Sequence, residues 1–540
     1  MFHFNIITFK KLDMKKISLL LILLILSSCS DILDEELTGD LSSSIFNTEE
    51  GIDFALNGAY SAFTTFIGSS GNRETGWTLI AMGTDTYTNG SDGNFKFFNT
   101  YNSDLNASTI VVEQPWGDFY KGINTANAVI NRAPNVITND PEKLANILGQ
   151  ARFLRGYYYY WLVRIWGPVH YTDQETTGAE TEAIRMPLDQ LYLKIIEDME
   201  FAEQNLPSSQ DEFGKVNSWV AKTALADIYL TMKNYDKAAQ YSEDIINNGP
   251  YNLVKPVKDL WKLNNEDNSE VIWSVQFADN LQFDNGGNPA HLFFLMEYNK
   301  LPGMLRDAEN GRPWKRFKPT NYLLNLYDLE DERYDATFTT VWFSNNPNSA
   351  PPGVHPGDTA IWLPRVPISQ LEKDSRPFGV NIFNQDEYTE KIYPSSAKWV
   401  QPNRRSANET SGDRDFIAWR LAEVYLIASE ANALKSAPDQ AKSLQYLNEV
   451  RMRAYGVDNV AALPSISSVN IDVILKERAK ELAQEGKRWF DLVRTGKLVE
   501  RVKLHNAVGA PNIQEFHMLR PIPLTQIDRS STEFPQNPGY

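Results

Sequence analysis

The stretch that most narrows the fold is Gln150-Ala151-Arg152-Phe153-Leu154-Arg155-Gly156-Tyr157-Tyr158-Tyr159-Tyr160-Trp161, inside a helix predicted over 141–165. A surface helix keeps one apolar stripe, whereas a helix carrying an unbroken aromatic belt is buried on most sides. It therefore demands several packing partners at once. A chain of 540 residues can supply them. Its 42% hydrophobic and 22% charged residues are ordinary for a folded soluble body.

The partners read as further helices. Thr48 is placed as an N-cap before Glu49 and Glu50, with Ile52, Ala55, Leu56 and Tyr60 on one face. Helical periodicity then predicts helices over 116–133, 188–205, 218–247, 416–434, 439–453 and 469–494. Leu225-Ala226-x-x-Tyr229, then Ala238, then Pro250 keeps the spacing of a tetratricopeptide repeat, whose small residue lets helices cross closely. The step recurs at Leu421, Ala422 and Tyr425, and Gly156 to Tyr159 echoes it. The units are scattered, so the expected fold is mainly α: a tetratricopeptide-like helical-repeat scaffold with large irregular loop insertions and a few short β-strands.

Two regions break the helical pattern. Residues 68–108 are crowded with Gly, Asn, Asp, Ser and Thr and are read as a long functional loop. Residues 251–415 are rich in Gly, Pro and Asn, with β-like runs at 271–277 and 337–343. The end of the chain, from Arg520-Pro521-Ile522-Pro523 to Gln536-Asn537-Pro538-Gly539-Tyr540, is proline-rich and predicted to run as an extended strap. The expected divisions are 1–28, 29–47, 48–250, 251–415 and 416–540.

The amino-terminal segment is an address. After residues 1–13, which precede the apparent start, Met14-Lys15-Lys16 leads into an apolar run at 17–26. Small residues and Cys29, the chain's only cysteine, follow. A basic start, a short apolar core and small residues before the cut make a secretory signal peptide. About ten apolar residues is too short to span a bilayer. Leu26-Ser27-Ser28-Cys29 resembles a bacterial lipobox, in which Cys29 becomes the acylated first residue. The acidic segment to residue 47 suits a flexible tether, and Ser30 after the cysteine suits passage to an outer membrane.

Charge and motifs exclude several functions. Removing the leader, with Lys10, Lys11, Lys15 and Lys16 against Asp13, moves the net charge from −17 to about −20. So acidic a body disfavours nucleic acid and, less strongly, anionic polysaccharides. His170, His291, His355, His505 and His517 show no metal-ligand spacing, and neither a nucleophile elbow nor a phosphate-binding loop is present. Asp85-x-Tyr87-x-Asn89-Gly90 fails as a calcium loop, because Tyr87 stands at its third position and Lys96 where the closing Glu belongs. No cofactor and no metal ligand set is read from the sequence, and an ion site of another kind stays open. Glu477, Glu481 and Glu485 share a helical face with interleaved Arg478, Lys480 and Arg488. Neighbours on one helix cannot flank a glycosidic bond, so these read as a structural ion network.

The aromatic content, 12% of the chain, carries the binding expectation. Pyranose rings present C–H faces to aromatic side chains, while their hydroxyls seek Asp, Asn and Arg. Trp77, Asp85, Tyr87, Asn89, Phe97 and Tyr101 supply that mixture in the loop 68–108, and Trp314 in Gly311-Arg312-Pro313-Trp314-Lys315 adds to it from the insertion.

Taken together, the chain resembles the SusD/RagB outer-membrane lipoproteins. The likeness rests on the lipobox at Cys29, on the helix ending Asn57-Gly58-Ala59-Tyr60, and on Ala151-Arg152-Phe153-Leu154-Arg155. It rests also on Glu477-Arg478-Ala479-Lys480-Glu481-Leu482-Ala483-Gln484-Glu485-Gly486-Lys487-Arg488-Trp489-Phe490-Asp491-Leu492 and on the Pro521-Ile522-Pro523 and Gln536–Tyr540 endings. The resemblance implies a SusD-like α/α fold and a non-enzymatic, lipid-anchored protein facing the cell exterior. It would bind oligo- or polysaccharide and act as a hinged lid over a SusC-like TonB-dependent transporter. The same fold binding oligopeptides is one alternative, and a surface glycosidase another. Binding residues vary within the family and are not transferred by motif.

Overall fold

The computed structural model describes residues 48–68, 74–136, 138–278 and 287–540. The leader, Cys29 and the tether lie outside these residues. The scaffold begins with α1 (Glu49–Gly68), α2 (Thr75–Ala81), α3 (Ile110–Arg132) and α4 (Pro141–Trp166). α5 (Leu188–Asn205), α6 (Ser218–Thr231) and α7 (Tyr235–Asn248) follow. Beyond the insertion come α8 (Leu421–Leu434), α9 (Gln440–Ala454), α10 (Ile471–Glu481), α11 (Arg488–Arg494) and α12 (Leu498–His505).

Six of these starts have a local cause. The side chains of Thr109, Asp140, Asn217, Asn234, Asp439 and Asn470 accept first-turn N–H groups, and Pro141 fills the first position of α4. In space α1, α3, α4, α5, α6, α7, α8 and α9 pack as successive neighbours. The repeat units scattered in sequence are thus contiguous, because α7 meets α8 across the whole insertion.

The aromatic belt of α4 explains the order. Tyr158 donates its hydroxyl to the Ala59 carbonyl on α1, and Tyr159 to the Thr172 carbonyl at 3.1 Å. Tyr160 Oη meets Thr231 Oγ1 on α6 at 2.7 Å. The Tyr157 ring lies 4.9 Å from Trp273 and 5.3 Å from Trp419. A Cβ on Gly156 would come within 3.1 Å of Asp198 Cβ and Met199 Cε on α5, so the small residue sets that crossing. Beside it Arg155 grips Asp198 in a fork at 2.8 and 2.7 Å. The belt is a hub for several elements.

Among the described residues, eight short strands form four antiparallel pairs. β1 (Tyr87–Asn89) pairs with β3 (Phe317–Pro319), and β2 (Val271–Val275) with β8 (Phe416–Arg420). β4 (Phe338–Thr339) pairs with β7 (Ser395–Ser396), and β5 (Val341–Phe343) with β6 (Thr359–Trp362). The β2–β8 ladder clamps the two ends of the insertion, so the intervening residues loop out from a fixed base.

Three expectations are corrected. Residues 416–420 form β8 rather than the start of a helix, because their partner strand lies across the insertion. The helix expected over 469–494 breaks between α10 and α11, where Gln484 and Gly486 take φ of +66° and +73°. The break is used: Gln484 donates to Tyr87 Oη at 2.8 Å and its carbonyl accepts from Trp399 Nε1 at 3.1 Å. The carboxy-terminal strap includes a six-residue helix, Leu524–Arg529, starting after Pro523. Otherwise it lies along the body, with Arg520 N donating to the Ile165 carbonyl at 2.8 Å and Asn537 Nδ2 to the Trp166 carbonyl at 2.9 Å.

Glu477, Glu481 and Glu485 are buried in the ion network expected of them. Glu477 meets Arg333 at 2.6 Å, Glu481 meets Arg420 at 2.7 Å, and Glu485 meets Arg420 and Lys398 at 2.8 and 2.7 Å. Glu270 of the insertion joins through Arg420 and Arg453 at 2.7 and 2.9 Å.

Asp415, just before β8, is the contrary case. Burial pushes its carboxyl up to about 7, although Phe277 N at 3.1 Å and Ser274 Oγ at 2.9 Å donate to it. The neighbouring Glu266 and Asp413 add to the rise. Its folded value lies above the unfolded 3.8, so its contribution is complete below that value and is lost as pH rises toward 7. Asp415→Asn keeps an acceptor without the charge. It should raise stability at pH 8 by about 1–3 kcal/mol and make no comparable gain at pH 4. Thermal melts of both proteins at the two pH values check this.

Candidate functional site

Most residues expected to meet sugar are turned inward. Trp77 lies on α2 and is fully buried, edge-on to Phe294, Trp399 and Phe416 at 5.7, 5.3 and 5.7 Å. Asp85 is fully buried and forked by Arg488 at 2.7 and 2.6 Å, with Arg501 at 3.2 Å. Burial would push that carboxyl up, but the two guanidiniums outweigh it and hold it below the usual range. Tyr87 is buried on β1 against Phe294 and Gln484. Asn89 is buried and accepts from Asn99 Nδ2 at 2.8 Å. Tyr101 is buried, donates to the Gly83 carbonyl and packs 4.9 Å from His517. These five are core; the polar side-chain atoms of Asp85, Tyr87, Asn89 and Tyr101 bond within the protein, and Trp77 Nε1 is buried without a partner among the described residues. The segment is not one open loop, since α2, β1 and the one-turn helix Phe97–Thr100 organise it. Phe97 is half-buried, 5.3 Å from Phe98 and 6.0 Å from Phe95.

Trp314 is placed differently. From Trp314 to Pro319 burial alternates residue by residue, with Lys315, Phe317 and Pro319 inward and Trp314, Arg316 and Lys318 outward. The segment is anchored by Trp314 N donating to the Leu292 carbonyl at 2.9 Å and Arg316 N to the Phe293 carbonyl at 2.8 Å. The Trp314 ring rests 5.8 Å from Phe293, which braces one side of it. The guanidiniums of Arg312 and Arg316 lie 5.8 and 5.2 Å from its centre.

Surrounding groups are held by fixed partners. The β1–β3 pairing brings residues 90–94 alongside, with Gly90 N donating to the Arg316 carbonyl at 2.9 Å. Gly93, at φ +106°, lets the chain close on Arg316, since a Cβ there would lie 3.0 Å from Arg316 Cδ. Arg316 pairs with buried Glu74, whose carboxyl burial pushes up and Arg316 partly restores. Lys315 bridges Asp92 and Glu297, both at 3.0 Å. Burial opposes the charge on Glu297, but hydrogen bonds from Lys315 and Lys391 hold it below the ordinary range. From the far end of the insertion, exposed Asn408 takes a hydrogen bond from Arg306 and its carbonyl accepts from Arg312 at 3.5 Å.

The result is a ledge: one aromatic face between two guanidiniums, rimmed by Asp92, Asn94, Arg306 and Asn408. Such a surface can stack on a pyranose ring and donate to its hydroxyls. Arg306 and Asn408 escaped sequence reading because they reach the ledge from separate parts of the insertion. Arg316 carried a usable signal, alternating with Arg312 and Trp314.

Residues 269–540 match the model of the SusD family, and residues 31–230 match a model described as starch-binding, associating with the outer membrane. The chain belongs to the SusD family. It is 29% identical to SusD-like protein P2 of Formosa agariphila, over 97% of this chain and 99% of that one. It is 24% identical to a SusD-like protein of Bacteroides ovatus, over 70% and 64%. Among solved structures it is similar to a SusD homolog of Bacteroides thetaiotaomicron (TM-score 0.75, 21% identity, 93% and 99% covered). A laminarin-binding SusD-like protein gives 0.69, 22%, 91% and 100%. Surface glycan-binding protein A of Bacteroides thetaiotaomicron, in complex with laminarihexaose, gives 0.69, 21%, 91% and 99%. These likenesses bear out the mainly α SusD fold. No described helix is long and apolar enough to cross a membrane.

Proposed function

We propose that the protein is a non-catalytic, lipid-anchored carbohydrate-binding protein of the outer-membrane surface. It captures an uncharged oligo- or polysaccharide and delivers it, as a hinged lid, to a SusC-like TonB-dependent transporter. The observation that carries the binding function is Trp314, presented between Arg312 and Arg316 on a braced ledge. Support comes from family membership and from two structural neighbours, a laminarin-binding SusD-like protein and a surface glycan-binding protein in complex with laminarihexaose. Anchoring rests on the Cys29 lipobox, and transporter partnership on the family resemblance.

A non-catalytic reading also fits the ledge's carboxylates. Glu74 is paired with Arg316 and Asp92 with Lys315, whereas glycoside cleavage needs two carboxyl groups facing each other across the bond. The test is a glycan array probed with soluble protein from Ser30 onward, followed by a reducing-end assay on whatever binds. Binding to at least one neutral glycan with no new reducing ends is expected. An empty array beside a positive oligopeptide-binding assay would transfer the function to peptides. Released reducing ends would make it a glycosidase.

A further inference from the structure

A second concave surface lies away from the ledge, along α1. Its first basin, about 730 Å³, opens between the amino-terminal halves of α1 and α4 and the residues after α5, and is lined by Asp53, Asn57, Asn146, Gln150, Gln210 and Glu212. The second, about 320 Å³, shares Asn57, Glu212 and Lys215 with the first and adds Tyr60, Phe213 and Gln276. The third, about 530 Å³, shares Phe213 and Gln276 with the second and reaches Asn264, Asn403 and Asp413. Shared walls make the three one trough. From Asp53 to Thr64 it follows α1 for about 16 Å, at 1.5 Å per residue.

The walls are rigid and polar. Asn146 Oδ1 accepts from Gln150 Nε2 at 3.1 Å and Gln210 Nε2 at 2.8 Å, and Gln210 Nε2 also reaches the Val216 carbonyl at 2.6 Å. Tyr60 donates to Gln150 Oε1 at 2.7 Å and accepts from Val216 N at 3.0 Å. This amide ladder fixes the loop carrying Phe213. Gly214, at φ +90°, makes the turn, and Trp273 Nε1 pins its carbonyl at 2.9 Å. Phe213 therefore stands 39% exposed on a held loop, over the junction of the second and third basins. The amides hold the loop, and the exposed ring stands over walls that carry carboxylates where the ledge carries arginines.

We propose that this trough is a second carbohydrate-binding surface, taking an extended, uncharged glycan chain with Phe213 as its stacking face. The proposal rests on the glycan-binding reading above. Asp53, Asp211, Glu212, Glu266 and Asp413 line it against two cations, Lys143 and Lys215, and this net negative wall repels uronic or sulfated chains. A peptide strand would gain little along α1 and α4, whose backbone groups are spent within the helices, and peptide strands bind through main-chain hydrogen bonds. Asn403 at the trough's end is followed by Arg404, which donates to the Ala308 carbonyl in the segment leading to the ledge.

The test uses the protein from Ser30 onward, titrated with laminarin, amylose, galactomannan and xyloglucan, with alginate as a charged chain. Phe213→Ala should weaken the bound neutral polysaccharide about tenfold and leave a trisaccharide of the same linkage unchanged. Ser61→Trp, which plugs the second basin from its exposed rim, should do the same. Full polysaccharide affinity in both variants, with binding lost in Trp314→Ala, overturns the trough and leaves the ledge standing. Peptide or alginate in place of a neutral chain also overturns it. Wild-type binding to none of the neutral chains overturns the functional reading and the trough together.

Discussion

Replacing Arg420 with methionine is expected to cost about 3–5 kcal/mol of unfolding free energy, the penalty for stranding buried charge. All five guanidinium donors are used. Nε and Nη2 fork onto Glu485 at 2.8 and 2.9 Å, and Nη1 reaches Glu270 and Glu481 at 2.7 Å each. The last Nη2 proton goes to the Glu481 carbonyl at 2.8 Å. Without Arg420, Glu485 keeps only Lys398 as an ion-pair partner among the described residues, and Glu481 leans on Arg453 and Arg333. Arg420→Lys should recover only part of the loss, because an ammonium cannot make the fork. Urea unfolding measures all three proteins, and a loss under about 1 kcal/mol in the methionine variant would show that the network does not hold the fold.

The same network sets the acid limit. Burial alone would raise Glu481, but Arg453, Arg420 and Arg333 hold it well below 4.5, and Glu485 is likewise lowered by Arg420 and Lys398. Folded values below unfolded ones give stability that is present at neutral pH and lost as pH falls through the folded values. Acid unfolding should therefore begin below the ordinary carboxylate range and come earlier in Arg420→Met.

Trp314→Ala is expected to weaken glycan binding by about 2–3 kcal/mol, roughly 30- to 150-fold, as loss of a central aromatic anchor does. The ring is half-buried, braced by Phe293 and framed by Arg312 and Arg316, so it is presented with little left to order on binding. Trp314→Phe keeps a flat face and should retain most of the affinity. Isothermal titration with a glycan found on the array separates the outcomes. Equal affinity in wild type and Trp314→Ala would remove Trp314 from the site.

What was legible in the sequence follows the range of the forces involved. Periodicity is local, so the apolar spacing over 188–205 and the belt at Tyr157 announced their helices. Phe416-Ile417-Ala418-Trp419-Arg420 did not announce a strand, because only Val271–Val275, across the insertion, makes it one. The break at Gln484 was hidden by continuous helical periodicity, since its bonds to Tyr87 and Trp399 are tertiary. Five of the seven residues expected to meet sugar are buried, which the sequence did not reveal for a related reason. A polar segment carrying Trp77, Tyr87 and Tyr101 has one composition whether its rings meet a ligand or pin it to the core. Asp85 shows the difference, for its partners Arg488 and Arg501 sit at the other end of the chain. Trp314 escaped this ambiguity in the structure through strand alternation, which turns its neighbours Lys315 and Phe317 inward.

The central claim, that Trp314 is the face on which a glycan rests, is tested most directly by a structure of the protein with its array-identified neutral glycan bound. The account predicts a pyranose ring within about 4.5 Å of the Trp314 indole, with hydroxyls in hydrogen-bond reach of Arg312, Arg316 or Asn408. A bound glycan that leaves the Trp314 face bare would contradict it.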